Sequence, residues 1–473
     1  MKRTWRFWPA LWVCKLTGWV LRKLGKNGTT LPGVIANRID PQIIAHLAMG
    51  NYPDGIMIIT GTNGKTTTAN LLANILRQAG KRFSCNEAGA NLLTGITGAM
   101  AQSTRWTGRS AAQMALWEVD EATVPRLCEL VKPALAVVTN FFRDQLDRYG
   151  ELDTTVRLVR EALPEDTRCI LNADDPLVAQ FGWQRAATVY FGVERLPESR
   201  EISDEVRESR FCPLCGATLD YAWFQYGQLG NFTCAGCGFH RPQPHWQAQE
   251  VQRRQERMVF QVNGLELSLA LQGTYNLYNG LAAYSAAKTL HIPDEAIRTG
   301  LSEFVPRAGR MESFAFPEGL LTLALVKNPA GCNQVIRTIV QAAQRREICL
   351  LIAINDQAAD GRDISWLWDV DFEWLQEIAG QIRTIVCAGL RAEDMALRLK
   401  YAGIGMDKIR IEPALEIAVR TLRQSWGNGA HGYALPTYTA LHPLRAILAA
   451  QSLSLAKNSA ALRAQPAGRE ENI

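Results

Sequence analysis

The run Thr62-Asn63-Gly64-Lys65-Thr66-Thr67 sets a lysine and three hydroxyls around a glycine, a set suited to holding a nucleoside triphosphate. Lys65 would reach the β- and γ-phosphates, and the Thr66 hydroxyl would sit on Mg²⁺. Gly61 and Gly64 let backbone N–H groups approach an anion, and a helix starting here adds favourable potential. The apolar lead-in 55–59 predicts a buried parallel strand, and residues 66–76 carry apolar side chains at helical spacing. The general phosphate-loop pattern has a glycine five residues before Gly64, where this chain has Ile59. The sequence therefore predicts an NTP site that is not of the commonest kind.

Two acidic positions follow strands, where ligands collect in open α/β sheets. Glu118 closes the apolar run 114–119 and could hold Mg²⁺ through oxygen ligation or water. Asp120 and Glu121 follow at once, and chemistry alone does not choose among the three. The second is the charge-dense stretch 139–150 after a buried strand, which a solvated helix start explains almost as well. A different chemistry is written in Cys212-x-x-Cys215 and Cys234-x-x-Cys237, two knuckles each followed by glycine. This spacing predicts a tetrahedral Cys₄ zinc ribbon around a β-hairpin. Four thiolates leave no open position, so the role is structural, worth roughly 10–16 kcal/mol to the folding of the ribbon. His240 and His245 are read as bystanders. The flanks at 225–231 are not basic, and no nucleic-acid partner is expected.

The elements that must position these groups alternate strand and helix from residue 51, which means a parallel sheet covered on both faces. At 473 residues the chain is too long for one core. The expected divisions are a basic N-terminal helical segment (1–50), a nucleotide-binding domain (51–310) with the ribbon inserted at about 205–245, a second α/β domain (311–455) of Rossmann-like type, and a disordered tail (456–473). A net charge of +5 is too mild to imply a polyanion partner. The basic residues are uneven, however: eight precede the first acid, Asp40, on a segment bearing Trp5, Trp8, Trp12 and Trp19. That helix either packs on the domain behind it or lies on an anionic membrane surface. No apolar run is long enough to span a bilayer, and Lys15 interrupts 7–20. Eleven cysteines argue against a disulfide framework, and the chain is read as cytoplasmic, at the inner membrane face if the basic helix lies there.

The set Gly61-Thr62-Asn63-Gly64-Lys65-Thr66, Glu118, and Thr139-Asn140 leading to Asp144-Gln145-Leu146-Asp147 resembles the central domain of the Mur ligase superfamily. These enzymes use ATP to make an acyl phosphate and then an amide. Two further segments extend the resemblance. Residues 273–283 are similar to a helix whose first Asn, here Asn276, contacts the nucleotide. Gly309-Arg310-Met311-Glu312 resembles the opening of the family's C-terminal domain, whose Arg also faces ATP. The resemblance thus implies ATP and Mg²⁺ held by Thr62, Asn63, Gly64, Lys65, Thr66, Thr67, Asn276 and Arg310, with Glu118 on the metal. The chain departs from the pattern on the side that receives an amino acid. Gln145 replaces a metal-binding His, residues 154–160 offer no lysine for carbamylation, and no Asp-Asn-Pro-Arg segment is present.

The zinc insertion, Asn328-Pro329-Ala330-Gly331 and the segment 355–366 are similar to the amidating branch of the superfamily, the synthetase subunits of lipid II isoglutaminyl synthase. Amide synthesis needs ammonia, which near neutral pH is mostly protonated. Glutamine hydrolysis would need a Cys–His pair with an orienting group, and this chain has no Gly-x-Cys-x-Gly elbow. The resemblance implies a GatD-like glutamine amidotransferase partner that brings Cys and His. By motif position Asp363 supplies the third triad member, with Asp360 as runner-up. Five acids in residues 356–371 are also what an exposed loop and a helix start would carry. Two other functions remain in view: a stand-alone ligase of cell-wall or folylpolyglutamate type, and a nucleotide-switched zinc-ribbon adaptor.

Overall fold

In the computed structural model of the chain, residues 3–24, 30–86, 90–144, 151–202, 207–254, 257–306, 309–343, 346–427 and 429–452 are described, the Arg310 side chain excepted. The proposed tail and Gln145 lie outside them. The chain divides into two compact units, Met1–Val305 and Pro306–Ile473.

The first unit opens with three helices, α1 (Phe7–Lys23), α2 (Leu31–Ile39) and α3 (Ile43–Ala48). Then β1 (Ile56–Thr60) leads into α4 (Lys65–Gln78), followed by β2 (Phe83–Cys85), α5 (Leu93–Ser103), β3 (Met114–Glu118), α6 (Val124–Leu130), β4 (Leu135–Val138), α7 (Leu152–Ala162), β5 (Arg168–Asn172) and β6 (Thr188–Val193). A hairpin, β7 (Asp220–Tyr226) and β8 (Leu229–Thr233), precedes β9 (Trp246–Arg254), β10 (Arg257–Val262), β11 (Leu265–Leu269), α8 (Thr274–Thr289) and α9 (Asp294–Ser302). The sheet order is β11-β10-β9-β6-β5-β4-β1-β3-β2. It is parallel from β2 to β9, and an antiparallel extension, β10 and β11, closes one edge.

Every residue of β1, β3 and β4 is buried, as continuous apolar runs require in a sheet covered on both faces. β4 ends at Val138 with its apolar run, and the polar Thr139 and Asn140 that follow turn their side chains to the phosphate loop. The N-terminal helices belong to this core: Phe7, Leu11 and Ile43 are buried in one cluster with Ile96, Trp117 and Val138. On the other side α4 packs against α8 and α9. No helix among the described residues is long and apolar enough to cross a membrane.

The second unit is a six-stranded sheet of order β12-β13-β17-β14-β15-β16. Its strands are β12 (Arg310–Phe316), β13 (Gly319–Ala324), β14 (Ile348–Ala353), β15 (Ile382–Ala388), β16 (Ile409–Ile411) and β17 (His431–Pro436). The β12–β13 hairpin is antiparallel and the remaining pairs are parallel. Helices α10 (Pro329–Ala343), α11 (Ala392–Tyr401), α12 (Leu415–Gln424) and α13 (Tyr438–Gln451) accompany it, and its buried side chains form two clusters.

Candidate active site

The phosphate loop joins the end of β1 to the start of α4 and is braced from β4. Thr139 Oγ1 donates to the Asn63 carbonyl at 2.8 Å, Asn140 Oδ1 accepts from Asn63 N–H at 2.9 Å, and the Asn140 carbonyl accepts from Thr62 N–H at 2.8 Å. The Thr62 hydroxyl exchanges bonds with the Phe142 backbone at 3.1 Å. Only glycine fits at two points. A Cβ on Gly61 (φ +116°) would lie 2.4 Å from Thr139 Oγ1, and one on Gly64 (φ +87°) 2.0 Å from Asn279 Oδ1. The loop is rigid on the side facing β4 and α8.

Lys65 is buried, its Nζ 2.5 Å from the Gly61 carbonyl and 3.0 Å from Glu121 Oε2. Burial works against the ammonium, but the Glu121, Asp120 and Glu118 carboxylates outweigh it and raise the lysine pKa above its ordinary value. Glu118, at the end of β3, is held otherwise: Asn91 Nδ2 donates to its Oε1 at 3.3 Å, and Asn86 brackets its backbone. Asp120 accepts from Ala122 N–H and caps the short turn that carries Glu121 toward Lys65. Asn276 is buried on α8, linked through Asn279 Nδ2 at 3.2 Å to the side chain that abuts Gly64. Lys65, Glu118 and Asn276 are thus gathered around one loop, with Thr66 half-buried at the first turn of α4 and Thr67 buried. Glu121, Asn279 and the Asn140 brace are the members that residue chemistry did not single out.

The four cysteines converge as their spacing predicts. Cys212 and Cys237 sulfurs are 3.6 Å apart, Cys215 and Cys234 sulfurs 3.5 Å, and all four lie within 4.8 Å of one another. A tetrahedron of Zn–S bonds has edges of about 3.8 Å, so the donor set fits a tetrahedral metal ion. Gly216 and Gly238, both at positive φ, let their N–H groups bond back to Cys212 and Cys234. His240 and His245 spend Nδ1 on the Gly238 carbonyl and on Tyr190 N–H. The ribbon is tied into the first unit. Arg241 Nε donates to the buried Asp174 at 2.7 Å, Gln228 Nε2 to the Phe141 carbonyl at 2.5 Å, and Tyr226 stacks on Phe142. Phe141 and Phe142 continue directly from the Thr139–Asn140 brace.

In the second unit the loop after β14 separates its acids. Asp360 is buried and accepts from Thr439 N–H at 2.7 Å, Thr439 Oγ1 at 2.5 Å and Gln357 N–H at 3.1 Å. Asp363 is exposed, with Oδ1 accepting from Ser365 N–H at 2.8 Å. Bonds from the Ser365 backbone and side chain hold its carboxyl below the usual range, so it faces solvent as a carboxylate. Asp356 pairs with Arg391 at 2.8 Å, and Asp371 accepts from Asn333. Arg310 begins β12, before Glu312, which pairs with Arg445 at 2.7 Å.

Residues 59–212 match the Mur ligase middle domain family, and residues 325–441 match the family described as MurT ligase C-terminal. The chain is 36% identical over 441 residues to the lipid II isoglutaminyl synthase (glutamine-hydrolyzing) subunit MurT of Staphylococcus aureus (strain COL), covering 93% of this chain and 97% of that protein. It is 35% identical to the same subunit of Streptococcus pneumoniae (strain ATCC BAA-255 / R6), over 92% of this chain and 95% of that one. In fold it is similar to a pseudomurein peptide ligase type C from Methanothermus fervidus, with a TM-score of 0.65 at 24% identity, covering 87% of this chain and 81% of the other.

Proposed function

This chain belongs to the MurT family of Mur ligases, and on that premise we propose that it is the synthetase subunit of a lipid II isoglutaminyl synthase. It is an ATP-dependent carbon–nitrogen ligase of peptidoglycan synthesis, working in the cytoplasm as a heterodimer with a GatD-like glutamine amidotransferase. Its substrate is the α-carboxyl of D-glutamate in the lipid II stem peptide, and its product is D-isoglutamine. The observation that carries the reading is the likeness to the Staphylococcus aureus subunit, which runs through both units and nearly the full length of each chain.

In the first half-reaction a carboxylate oxygen attacks the γ-phosphorus, the bond to the β–γ bridging oxygen breaks, and ADP leaves. Lys65, Thr62, Asn63, Gly64, Thr66 and Thr67 hold the triphosphate, with Asn276 and Arg310 on the nucleotide. Thr66 and Glu118 would hold Mg²⁺, which when bound neutralises the phosphate charge. In the second half-reaction ammonia attacks the acyl carbon, the C–O bond to the phosphoryl group breaks, and phosphate leaves. The surplus proton on nitrogen passes to solvent. Asp363 supports the partner's glutaminase chemistry by orienting its histidine, a task its exposure suits and the buried, fully engaged Asp360 does not. Zn²⁺ in the four-thiolate site keeps the ribbon folded.

The test is amidation of lipid II by the chain together with a GatD-like glutaminase, followed by mass spectrometry with glutamine or an ammonium salt as nitrogen source. Amidated lipid II that requires ATP and both subunits when glutamine is the donor is the expected result. Addition of a whole amino acid without any partner would point instead to a stand-alone ligase.

A further inference from the structure

Helix α1 is apolar on two opposite sides. Its inner side, Phe7, Leu11 and Cys14, lies in the core of the first unit. Lys15, which interrupts the apolar run in the sequence, also points inward, where Nζ donates to the carbonyls of Ala101 and Thr104 at 2.8 and 2.5 Å and closes the end of α5. The outer side is therefore left without a charge along its middle. Trp12, Leu16, Trp19 and Val20 recur there three or four residues apart, with Trp5 just before the helix, and all are exposed. Trp106 extends the patch from a second segment: it is 57% exposed, and its carbonyl accepts from Trp12 Nε1 at 3.2 Å. A helix with both faces apolar has one face that still needs a cover.

The charges in the two segments that form this face are all of one sign. Residues 1–39 and 90–117, which supply the patch, contain no Asp or Glu. Arg6, Arg22, Lys23, Arg105 and Arg109 are exposed in the same two segments. Arg6 sits 5.5 Å from the Trp5 ring centre and Lys23 5.9 Å from that of Trp19. Indoles with an apolar body and a polar N–H, interleaved with cations, match the boundary between acyl chains and anionic headgroups. We propose that the outer face of α1, with Trp106, docks the protein on an anionic lipid membrane. α5, about 16 Å long, runs from beside Asn91, which touches Glu118, to the turn bearing Trp106. Trp106 and the Asn91–Glu118 contact thus lie beyond opposite ends of α5. The docking surface stands on its own geometry, and its use for presenting a membrane-anchored substrate rests on the function proposed above.

The experiment is flotation of the full chain with vesicles of phosphatidylglycerol or of phosphatidylcholine, comparing the wild type with a Trp12→Glu, Trp19→Glu double variant. The wild type is expected to float with the anionic vesicles, and to do so about tenfold less with neutral vesicles or at about 0.5 M salt. The variant, altered only at exposed positions, is expected to keep its Tm and its amidation of a water-soluble stem-peptide substrate while floating about tenfold less. A wild type that stays with the soluble fraction overturns the proposal. So does a folded variant that floats equally well, or one that loses self-association or glutaminase binding while the wild type ignores vesicles. If the wild type floats but amidates neither soluble nor lipid-linked substrate, docking stands and the functional reading fails.

Discussion

Lys65 Nζ lies 3.0 Å from Glu121 Oε2, with both side chains buried, so the lysine that would meet the phosphates is held by a carboxylate of its own chain. This pair supplies the counter-charge that a buried ammonium needs. The phosphates of ATP would supply it in turn.

Lys65→Ala is expected to abolish the rise in Tm on adding ATP·Mg²⁺ and to lower amidation roughly 10²–10³-fold, the scale on which a charge positioned on a transition state acts. Glu121→Gln keeps an acceptor but removes the charge, which should cost the nucleotide-free protein about 1–3 kcal/mol. That deficit should shrink when ATP·Mg²⁺ is present. A Glu121→Gln protein as stable as the wild type in both states would show that the pair does not hold the loop.

Cys215→Ser removes one corner of the thiol cluster. Metal analysis should find about one zinc ion per chain in the wild type and far less in the variant. Because Gln228 and Tyr226 of the ribbon hold Phe141 and Phe142, next to the brace on the phosphate loop, its loss should reach the nucleotide. Calorimetry is expected to show ATP binding weakened roughly three- to tenfold, about 1 kcal/mol. Unchanged affinity with zinc gone would confine the metal to the ribbon itself.

The two acids of the loop after β14 should separate cleanly. Asp363→Asn is expected to leave folding and ammonium-driven amidation intact while glutamine-driven amidation is lost. Asp360→Ala strips the acceptor from Thr439 N–H and Oγ1 and should destabilise the second unit by about 1–3 kcal/mol. Glutamine use that survives Asp363→Asn would remove it from the partner's triad.

Burial pushes the Asp175 carboxyl up from 3.8 to about 7, against the N–H groups of Phe141 and Leu177 that bond it. Within that pH window the unfolded chain has released the proton and the folded chain retains it. The Asp175 contribution to stability therefore falls as pH rises from 3.8 to about 7, by at most about 1.4 kcal/mol per unit, and is flat above. Denaturant titrations of Asp175→Asn against the wild type across this range should show the variant lacking that slope. Parallel curves would place the carboxyl in the ordinary range.

Much of the site was legible because its signals are local. The phosphate loop and the cysteine knuckles fix their geometry within a few residues through glycine turns and ligand spacing. The partner of Lys65 was not, since Glu118, Asp120 and Glu121 are chemically alike. What separates them is a capped turn after β3 that spends Asp120 on Ala122 and an asparagine pair that holds Glu118. The ranking of Asp363 over Asp360 rested on motif position alone, because the residue that physically separates them, Thr439 engaging Asp360, lies far along the chain. Lys15 misled in a useful way: it reads as a break in an apolar segment, yet it faces inward and leaves the outer face of α1 intact. In the fold, the parallel sheets followed from alternating apolar runs. The antiparallel edge was not read from the sequence, although Leu265, Leu267 and Leu269 alternate with Glu266 and Ser268 after the Asn263-Gly264 turn that joins β10 to β11.

The central claim, that Lys65 and its loop activate a carboxylate as an acyl phosphate, is tested most directly by following its oxygen. Lipid II carrying heavy oxygen in the D-glutamate α-carboxyl is amidated with ATP, glutamine and the partner subunit, and the released phosphate is analysed by mass spectrometry. One labelled oxygen per amide formed is the predicted result, absent with Lys65→Ala. Amidated product accompanied by unlabelled phosphate would contradict the account.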